Sequence, residues 1–189
     1  IAQFTAMFMM FADLGMINLE NWWMIAPALI VCVGIINAYN FMDGINGITS
    51  GYSLTVLLPL IILNHSIHFI EMSYLIVAAI ACVVFSYFNF RPKGKAKCFA
   101  GDVGSIGIAF IVLLPLGKLI LQTGDLTYIL LLVVYGVDTI LTICHRIMLH
   151  ENLGQAHRKH AFQIMANELK IPHEVVSLGY MILQLIISL

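Results

Sequence analysis

Three short stretches of this 189-residue chain carry most of its chemically competent side chains. The first is NAYNFMDGINGITSG, residues 37–51, in which Asn37, Asn40, Asp43 and Asn46 recur at every third position. At about 100° per residue, positions 37, 40 and 43 stay near one helical face. Gly44, Gly47 and Gly51 permit tight turns and a close approach of backbone to a ligand. A helix C-cap followed by a glycine turn accounts for those glycines, but not for the polar row. The second stretch is KCFAGDVGSIGIAF, residues 97–110, where Asp102 stands at the start of an apolar helix. A carboxylate there can cap exposed N–H groups. It can equally present a hard oxygen to Mg²⁺, leaving other positions for water and diphosphate oxygens. The third is GQAHRKHAFQ, residues 154–163, with His157, Arg158, Lys159 and His160 in a compact cationic group. Arginine and lysine neutralise phosphate, and imidazole donates hydrogen bonds or shuttles protons. A basic juxtamembrane segment facing anionic headgroups has the same composition. The two histidines lack a third ligand at matching spacing, so a metal pair is not expected there.

The elements that must position these residues are apolar. Hydrophobic residues make up 61% of the chain and charged ones 10%, against about 25% charged in soluble domains. Mean hydropathy is +0.97. Seven apolar segments are expected, at roughly 1–13, 22–39, 48–63, 72–90, 103–121, 126–143 and 174–189. Most approach the ~20 residues a helix needs to cross a bilayer, so the fold is expected to be an all-α polytopic transmembrane bundle. Pro27, Pro59 and Pro115 fall within these segments, where proline is tolerated as a kink or near a helix end. The formal net charge of −1 gives no global basic field of the kind nucleic acid would require. Cys32, Cys82, Cys98 and Cys144 show no paired spacing and suggest neither a disulfide framework nor a zinc site.

Charge alternates between loops. Eight of the nine Lys and Arg residues fall in loops on the side of FMDGING; only Lys118 lies on the other side, with Asp13, Glu20, Glu71 and Asp125. The positive-inside rule puts the basic side in the cytoplasm. Trp22 and Trp23 then sit at the outer interface. Asp138 lies within the sixth segment, where an ionisable group is a functional candidate, and His145, seven residues on, shares its face; a hydrogen bond to a neighbouring helix explains it equally well. Carboxylates, glycines and a His/Arg cluster on one membrane face suit phosphoryl transfer, which needs positioning and charge neutralisation above all. The membrane setting suggests a lipid as one substrate.

Taken in order, NAYNFMDGINGI, FAGDVGSIGIAF and HRKHAFQ resemble the polyprenyl-phosphate N-acetylhexosamine-1-phosphate transferases, the superfamily of phospho-N-acetylmuramoyl-pentapeptide transferase. The HRxH-type third motif resembles the branch that uses UDP-GlcNAc; the peptidoglycan-precursor branch carries a run of histidines there. The resemblance implies transfer of a HexNAc-1-phosphate from a UDP-sugar to undecaprenyl phosphate, with release of UMP, to begin a cell-wall or surface glycan. It implies Mg²⁺ or Mn²⁺ as cofactor, a multi-pass protein of the cytoplasmic membrane with its site facing the cytoplasm, and room for a homodimer. Asp102 matches the metal-binding aspartate, Phe99 the aromatic that stacks on uracil, and Asn40 and Asp43 the nucleotide-site polar pair. His157, Arg158 and His160 match the loop that grips diphosphate or sugar. Asp43, Asp102, His157 and His160 are the catalytic candidates, with Asn37, Asn40, Asn46, Phe99, Arg158 and Gln163 as substrate-binding candidates.

Two departures stand out. The family often has a second aspartate where this chain has Asn46. Its paired aspartates are expected upstream of Ile1, so residues 1–189 are expected to be a single transmembrane domain lacking its N-terminal part and some of its site. The competing class is a transporter or channel with a cytoplasmic polar vestibule, which needs polar residues deep in several helices; a non-catalytic scaffold would bind no uridine nucleotide.

Overall fold

The computed structural model describes residues 2–17, 22–155 and 157–188. Glu20 and the ring of Trp22, expected at the outer face, lie outside the described residues. Each of the seven apolar runs folds as helix, the form that lets a membrane segment bond its own backbone. They are α1 (Ala2–Asp13), α2 (Trp22–Met42), α3 (Ile48–Ile67), α4 (Met72–Asn89), α5 (Gly101–Thr123), α6 (Val133–Met148) and, after the short α7 (Ala161–Asn167), α8 (His173–Ser188). No strand occurs among the described residues. The sixth run opens as a 3₁₀ helix, Leu126–Leu132, before α6 continues it. α7, which lies in the longest polar loop, was not among the expected segments.

Among the described residues, five spans are long and apolar enough to cross a membrane: Trp23–Met42, Ile48–Ile67, Met72–Asn89, Gly101–Thr123 and Leu126–Met148. The protein is a multi-pass membrane protein. Pro27, Pro59 and Pro115 all lie inside helices. Helix ends follow local chemistry. Pro92 follows the end of α4, where it lacks the N–H a continuing helix would need. Gly124 closes α5 in the left-handed region, its N–H bonded to the Ile120 carbonyl at 2.8 Å.

α3 is the centre of the bundle, with 67% of its span buried against 17% for α2 and 22% for α4. α4 and α8 flank it, α5 packs on α2 and α3, and α6 lies beside α2 and α8. Ile76, Val77, Ile80, Val83 and Val84 turn outward from α4, as suits a helix whose solvent is lipid. The ends of α2, α4 and α6 and the starts of α3, α5 and α8 meet at one end of the bundle, so the three motifs gather there. Lys118 pairs with Asp13 at 3.0 Å at the opposite end.

The change from 3₁₀ to α at Leu132–Val133 leaves backbone groups without helix partners at membrane depth, where unmet polar groups are costly. Gln184 of α8 and Tyr52 of α3 meet them, Gln184 at Val134 N and the Tyr52 hydroxyl at Tyr135 N, 3.4 Å away. Gln184 Oε1 accepts from Val134 N at 3.1 Å and from the Tyr52 hydroxyl at 2.8 Å. Its Nε2 donates to the Leu130 carbonyl at 3.0 Å. The rings of Tyr52 and Tyr135 stack beside it, 3.5 Å apart and 5° from parallel. Gln184→Leu strips these partners while keeping the volume. It is expected to lower stability by about 1–3 kcal/mol, read as reduced resistance to denaturant in micelles. Unchanged stability would show that the junction is held by other means.

Candidate active site at the end of α2

The chain leaves α2 at Met42 and enters α3 at Ile48 through a turn that is largely buried. Gly47 caps α3 with φ +84°, and a Cβ there would lie 2.1 Å from the Phe90 ring, so glycine is required on both counts. Its N–H donates to Asn89 Oδ1 at 2.7 Å, and Asn89 Nδ2 donates to the Cys98 carbonyl at 2.8 Å. Asn46 Nδ2 donates to the Arg91 and Pro92 carbonyls at 2.7 and 3.1 Å. These bonds tie the loop carrying Phe99 to the turn carrying Asp43.

Asn40, on the last turns of α2, donates through Nδ2 to Asp102 Oδ1 and Ser105 Oγ, both at 3.1 Å. Asp102 is in the first turn of α5, yet no backbone N–H of α5 bonds to its carboxylate among the described residues. Asp43 Oδ1 accepts from Thr49 Oγ1 at 2.6 Å, and the carboxylate lies beside the Gly101 N–H and Asp102. Burial holds the Asp43 carboxyl above the usual carboxylate range; Thr49 and the Gly101 N–H oppose that shift, and the Asp102 charge adds to it. Phe99 is 74% exposed. It stands over a groove of about 450 Å³ between α3, α4 and α5, floored by Ser50, Cys82, Gly104 and Ile108. Asn37 is exposed on α2, and its side chain makes no hydrogen bond among the described residues. The expected polar row therefore splits, with Asn40 and Asp43 in the site and Asn37 outside that hydrogen-bonded set.

The third stretch packs against the same helix end. The rings of His157 and His160 lie 5.0 Å apart, and 6.3 and 6.0 Å from Phe41. A Cβ at Gly44 would be 2.9 Å from the Phe162 ring and 3.5 Å from Gln163 Nε2, so Gly44 is what lets α7 approach. Gln163 Oε1 in turn accepts from His160 N at 3.4 Å. Burial lowers the His157 pKa first, and the Arg146 charge and His160 lower it further. Arg158 is exposed, with no side-chain partner among the described residues.

Sequence reading missed what holds this loop. Arg146, 3% exposed, bonds Glu151 Oε2 at 3.2 Å and the Asn152 and Gln155 carbonyls at 2.6 and 3.1 Å. Glu151 also pairs with Lys159. A lone arginine in the last turn of an apolar helix was the available signal. Asp138 does not meet His145, which is exposed. It takes the Tyr180 hydroxyl at 2.6 Å and Ala161 N at 3.0 Å, with His160 Nδ1 at 3.4 Å. Shared helical face was a poor guide because α7 and α8 bring closer partners.

One side of this helix end thus carries two carboxylates and the other two imidazoles, with the exposed Arg158 next to His157 in sequence. No group of three or more His, Cys, Asp or Glu side chains arranged to hold a metal occurs among the described residues. A six-coordinate Mg²⁺ needs only one or two carboxylates when substrate phosphates and water complete it. The Asp43–Asp102 pair fits that pattern.

A helical membrane bundle with this polar end is the setting in which the comparisons fall. The family model described as glycosyl transferase family 4 matches residues 1–120, and the chain belongs to that family. It is 30% identical over 149 residues to a probable undecaprenyl-phosphate N-acetylglucosaminyl 1-phosphate transferase of Bacillus subtilis, covering 75% of this chain and 40% of that protein. It is 37% identical over 81 residues to a phospho-N-acetylmuramoyl-pentapeptide-transferase of Deinococcus radiodurans, covering 43% and 22%. A third relative, the phospho-N-acetylmuramoyl-pentapeptide-transferase of Clostridium perfringens, is 31% identical over 130 residues, covering 68% and 38%. The chain spans well under half the length of these curated relatives.

Because folding raises the Asp43 pKa, its ionised form opposes the fold. That penalty is absent below the unfolded-state pKa, where Asp43 is protonated in both states, and grows as pH rises through the folded value. Asp43→Asn, which keeps an acceptor for Thr49, is expected to raise the melting temperature at neutral pH. The gain should shrink as pH is lowered from about 8 to about 4, measured by thermal unfolding in detergent. A gain independent of pH, or a loss at neutral pH, would remove Asp43's charge as the cause.

Proposed function

We propose that the protein transfers a HexNAc-1-phosphate, GlcNAc-1-phosphate on its third motif, from a UDP-sugar to undecaprenyl phosphate or a similar polyprenyl phosphate. A lipid phosphate oxygen attacks the sugar-linked phosphorus; the new P–O bond forms as the P–O bond to UMP breaks, and UMP leaves. The observation that carries this reading is the meeting of Asn40, Asp43, Asp102, His157 and His160 around one helix end at the edge of a membrane bundle. The relatives' names supply the substrate classes.

An apolar groove of about 410 Å³ between α2 and α6 supports a lipid substrate. It is lined by Gly34, Ala38 and Tyr39 on one side and Gly136, Thr139 and Ile140 on the other. Its lining ends at Tyr39, one residue before Asn40 on α2, and on α6 runs past Asp138 to Ile143, so a prenyl chain lying in it would bring its phosphate toward the polar wall. Phe99, exposed on the rim of the neighbouring groove, offers a face for uracil. Asp43 and Asp102 would hold Mg²⁺ or Mn²⁺, which when bound offsets diphosphate charge and polarises the phosphoryl oxygens. Asn40 fixes the Asp102 carboxylate, and Arg158 stands on the opposite wall as an unpaired cation for the diphosphate. In this reading the chain is part of a longer protein of the cytoplasmic membrane, with the site on the cytoplasmic side under the positive-inside rule.

Several buried polar groups bond to one another, as Tyr52 does to Gln184 and Ser86 to Ser50 at 2.8 Å, while the Tyr39 and Thr139 hydroxyls have no such partner among the described residues. That pattern favours the enzyme over a transporter with a polar pathway. In the intact membrane protein, Asp102→Asn is expected to cut transfer of labelled sugar phosphate from UDP-GlcNAc to polyprenyl phosphate by about 10²-fold or more. The fold should remain intact by thermal unfolding. Wild-type-level transfer with unchanged metal dependence would sink the role given to Asp102, and no transfer by the wild type would sink the function.

A further inference from the structure

Asp138 is the most fully engaged carboxylate of the bundle. It is 7% exposed within α6, where an ionisable side chain is costly unless it is used. Its Oδ2 accepts from the Tyr180 hydroxyl of α8 at 2.6 Å. Its Oδ1 accepts from Ala161 N, the first residue of α7, at 3.0 Å and from Thr142 Oγ1 at 3.3 Å, and has His160 Nδ1 at 3.4 Å. Both oxygens of the carboxylate are thus engaged, Oδ2 by Tyr180 and Oδ1 by Ala161 N and Thr142, with His160 Nδ1 beside Oδ1. Three helices therefore meet at one side chain, and the residue they fix is His160.

His160 is 2% exposed, and neither of its ring nitrogens has an aligned hydrogen bond among the described residues. Its ring lies 6.0 Å from Phe41 and 5.9 Å from Phe162, which confines it in a slot, with His157 5.0 Å away. An ionised carboxylate can only accept, so the nitrogen facing Asp138 is the one that carries hydrogen. The other nitrogen of the neutral ring, Nε2, is then a bare acceptor, buried and without a partner, an arrangement that is costly until a donor arrives.

We propose that Asp138 is a positioning residue that holds His160 with its proton on Nδ1, so that Nε2 accepts a hydrogen bond from a hydroxyl or amide N–H of the transferred sugar. Phosphate oxygens at neutral pH are themselves acceptors and do not match a bare Nε2. The sugar's hydroxyls and acetamido N–H do. The proposal divides the basic wall, giving the diphosphate to the cation of Arg158 and the sugar to His160. It rests on the transferase reading above and deepens it.

The test compares a ligand that has the sugar with one that lacks it, in the intact membrane protein. Asp138→Ala should lower kcat/KM for UDP-GlcNAc about ten- to a hundredfold, the range of one lost hydrogen bond. The affinity for UDP should stay within about twofold, below the effect of one hydrogen bond. Asp138→Asn keeps an acceptor toward Nδ1 and Ala161 N, and the Tyr180 oxygen can turn to accept from the amide; it should lose only severalfold. In a His160→Ala background Asp138→Asn should have no further effect. Parallel loss of UDP and UDP-GlcNAc affinity would overturn the proposal, and so would losses from Asp138→Asn and His160→Ala that multiply. If Asp138→Ala does not fold, the Asn and His160 pair decides alone. A wild type with no transfer would condemn the transferase reading; an active wild type whose Asp138 variants match it would condemn only the positioning role.

Discussion

Backbone that leaves a helix at the rim of a bilayer must still have its N–H and C=O groups bonded. The turn between α2 and α3 meets that demand with side chains from two other helices. Asn89 of α4 accepts from Gly47 N. On α8, His173 Nδ1 accepts from Asn46 N at 3.2 Å, and Ser177 Oγ donates to the Asn46 carbonyl at 2.9 Å. The Asn46 side chain then holds the loop after α4. Once the turn is fixed, the rest of the site is too. Asn40 precedes it on α2, Asp43 sits in it, Thr49 lies in the first turn of α3, and the loop bound to Asn46 and Asn89 delivers Phe99 and Asp102. A shift at this turn would move every one of them.

The same arrangement sets a conflict between stability and chemistry. Asp102 is near enough to add to the cost of ionising Asp43, and the donors that reach Asp43, Thr49 Oγ1 and the Gly101 N–H, do not cancel its burial. A structure selected only for stability would hold fewer charges here. The basic wall shows the complementary economy. Arg146 and Lys159 are committed to Glu151 and the loop carbonyls, which shapes the loop. Arg158 has no such partner among the described residues. The cations that scaffold and the one that remains available are thus adjacent in sequence but distinct in role.

The helices were legible because hydropathy over about 20 residues is a strong signal: all seven runs fold as helix, with ends set by features visible in the sequence, such as Pro92 and Gly124. The clustering of the three motifs was legible too, from the alternation of charged loops. Individual partners were not. Asn37 shares a three-residue period with Asn40, but 100° per step carries it away from Asp102, and its side chain stays exposed. Asp138 was visible as a buried charge, whereas Tyr180 and His160 reach it only through the packing of α7 and α8, which no local pattern encodes. Arg146 looked like one more basic loop residue because sequence shows charge but not burial. The break at Leu132–Val133 was hidden by a run of residues equally apolar on both sides of it.

Asn46 shows why a departure from a family pattern need not weaken a site. The resemblance leads one to expect an aspartate there. Here the side-chain nitrogen donates to two carbonyls, those of Arg91 and Pro92, a task no ionised carboxylate can perform, since it has acceptors only. An aspartate at this position would turn its charge toward two carbonyl dipoles and release the loop that carries Phe99. The amide exchanges a negative charge for a clamp between the α2–α3 turn and the α4–α5 loop. Among the described residues, the negative charge on this wall therefore comes from Asp43 and Asp102. Both depend on that clamp, Asp43 because it sits in the turn and Asp102 because the clamped loop leads directly into α5.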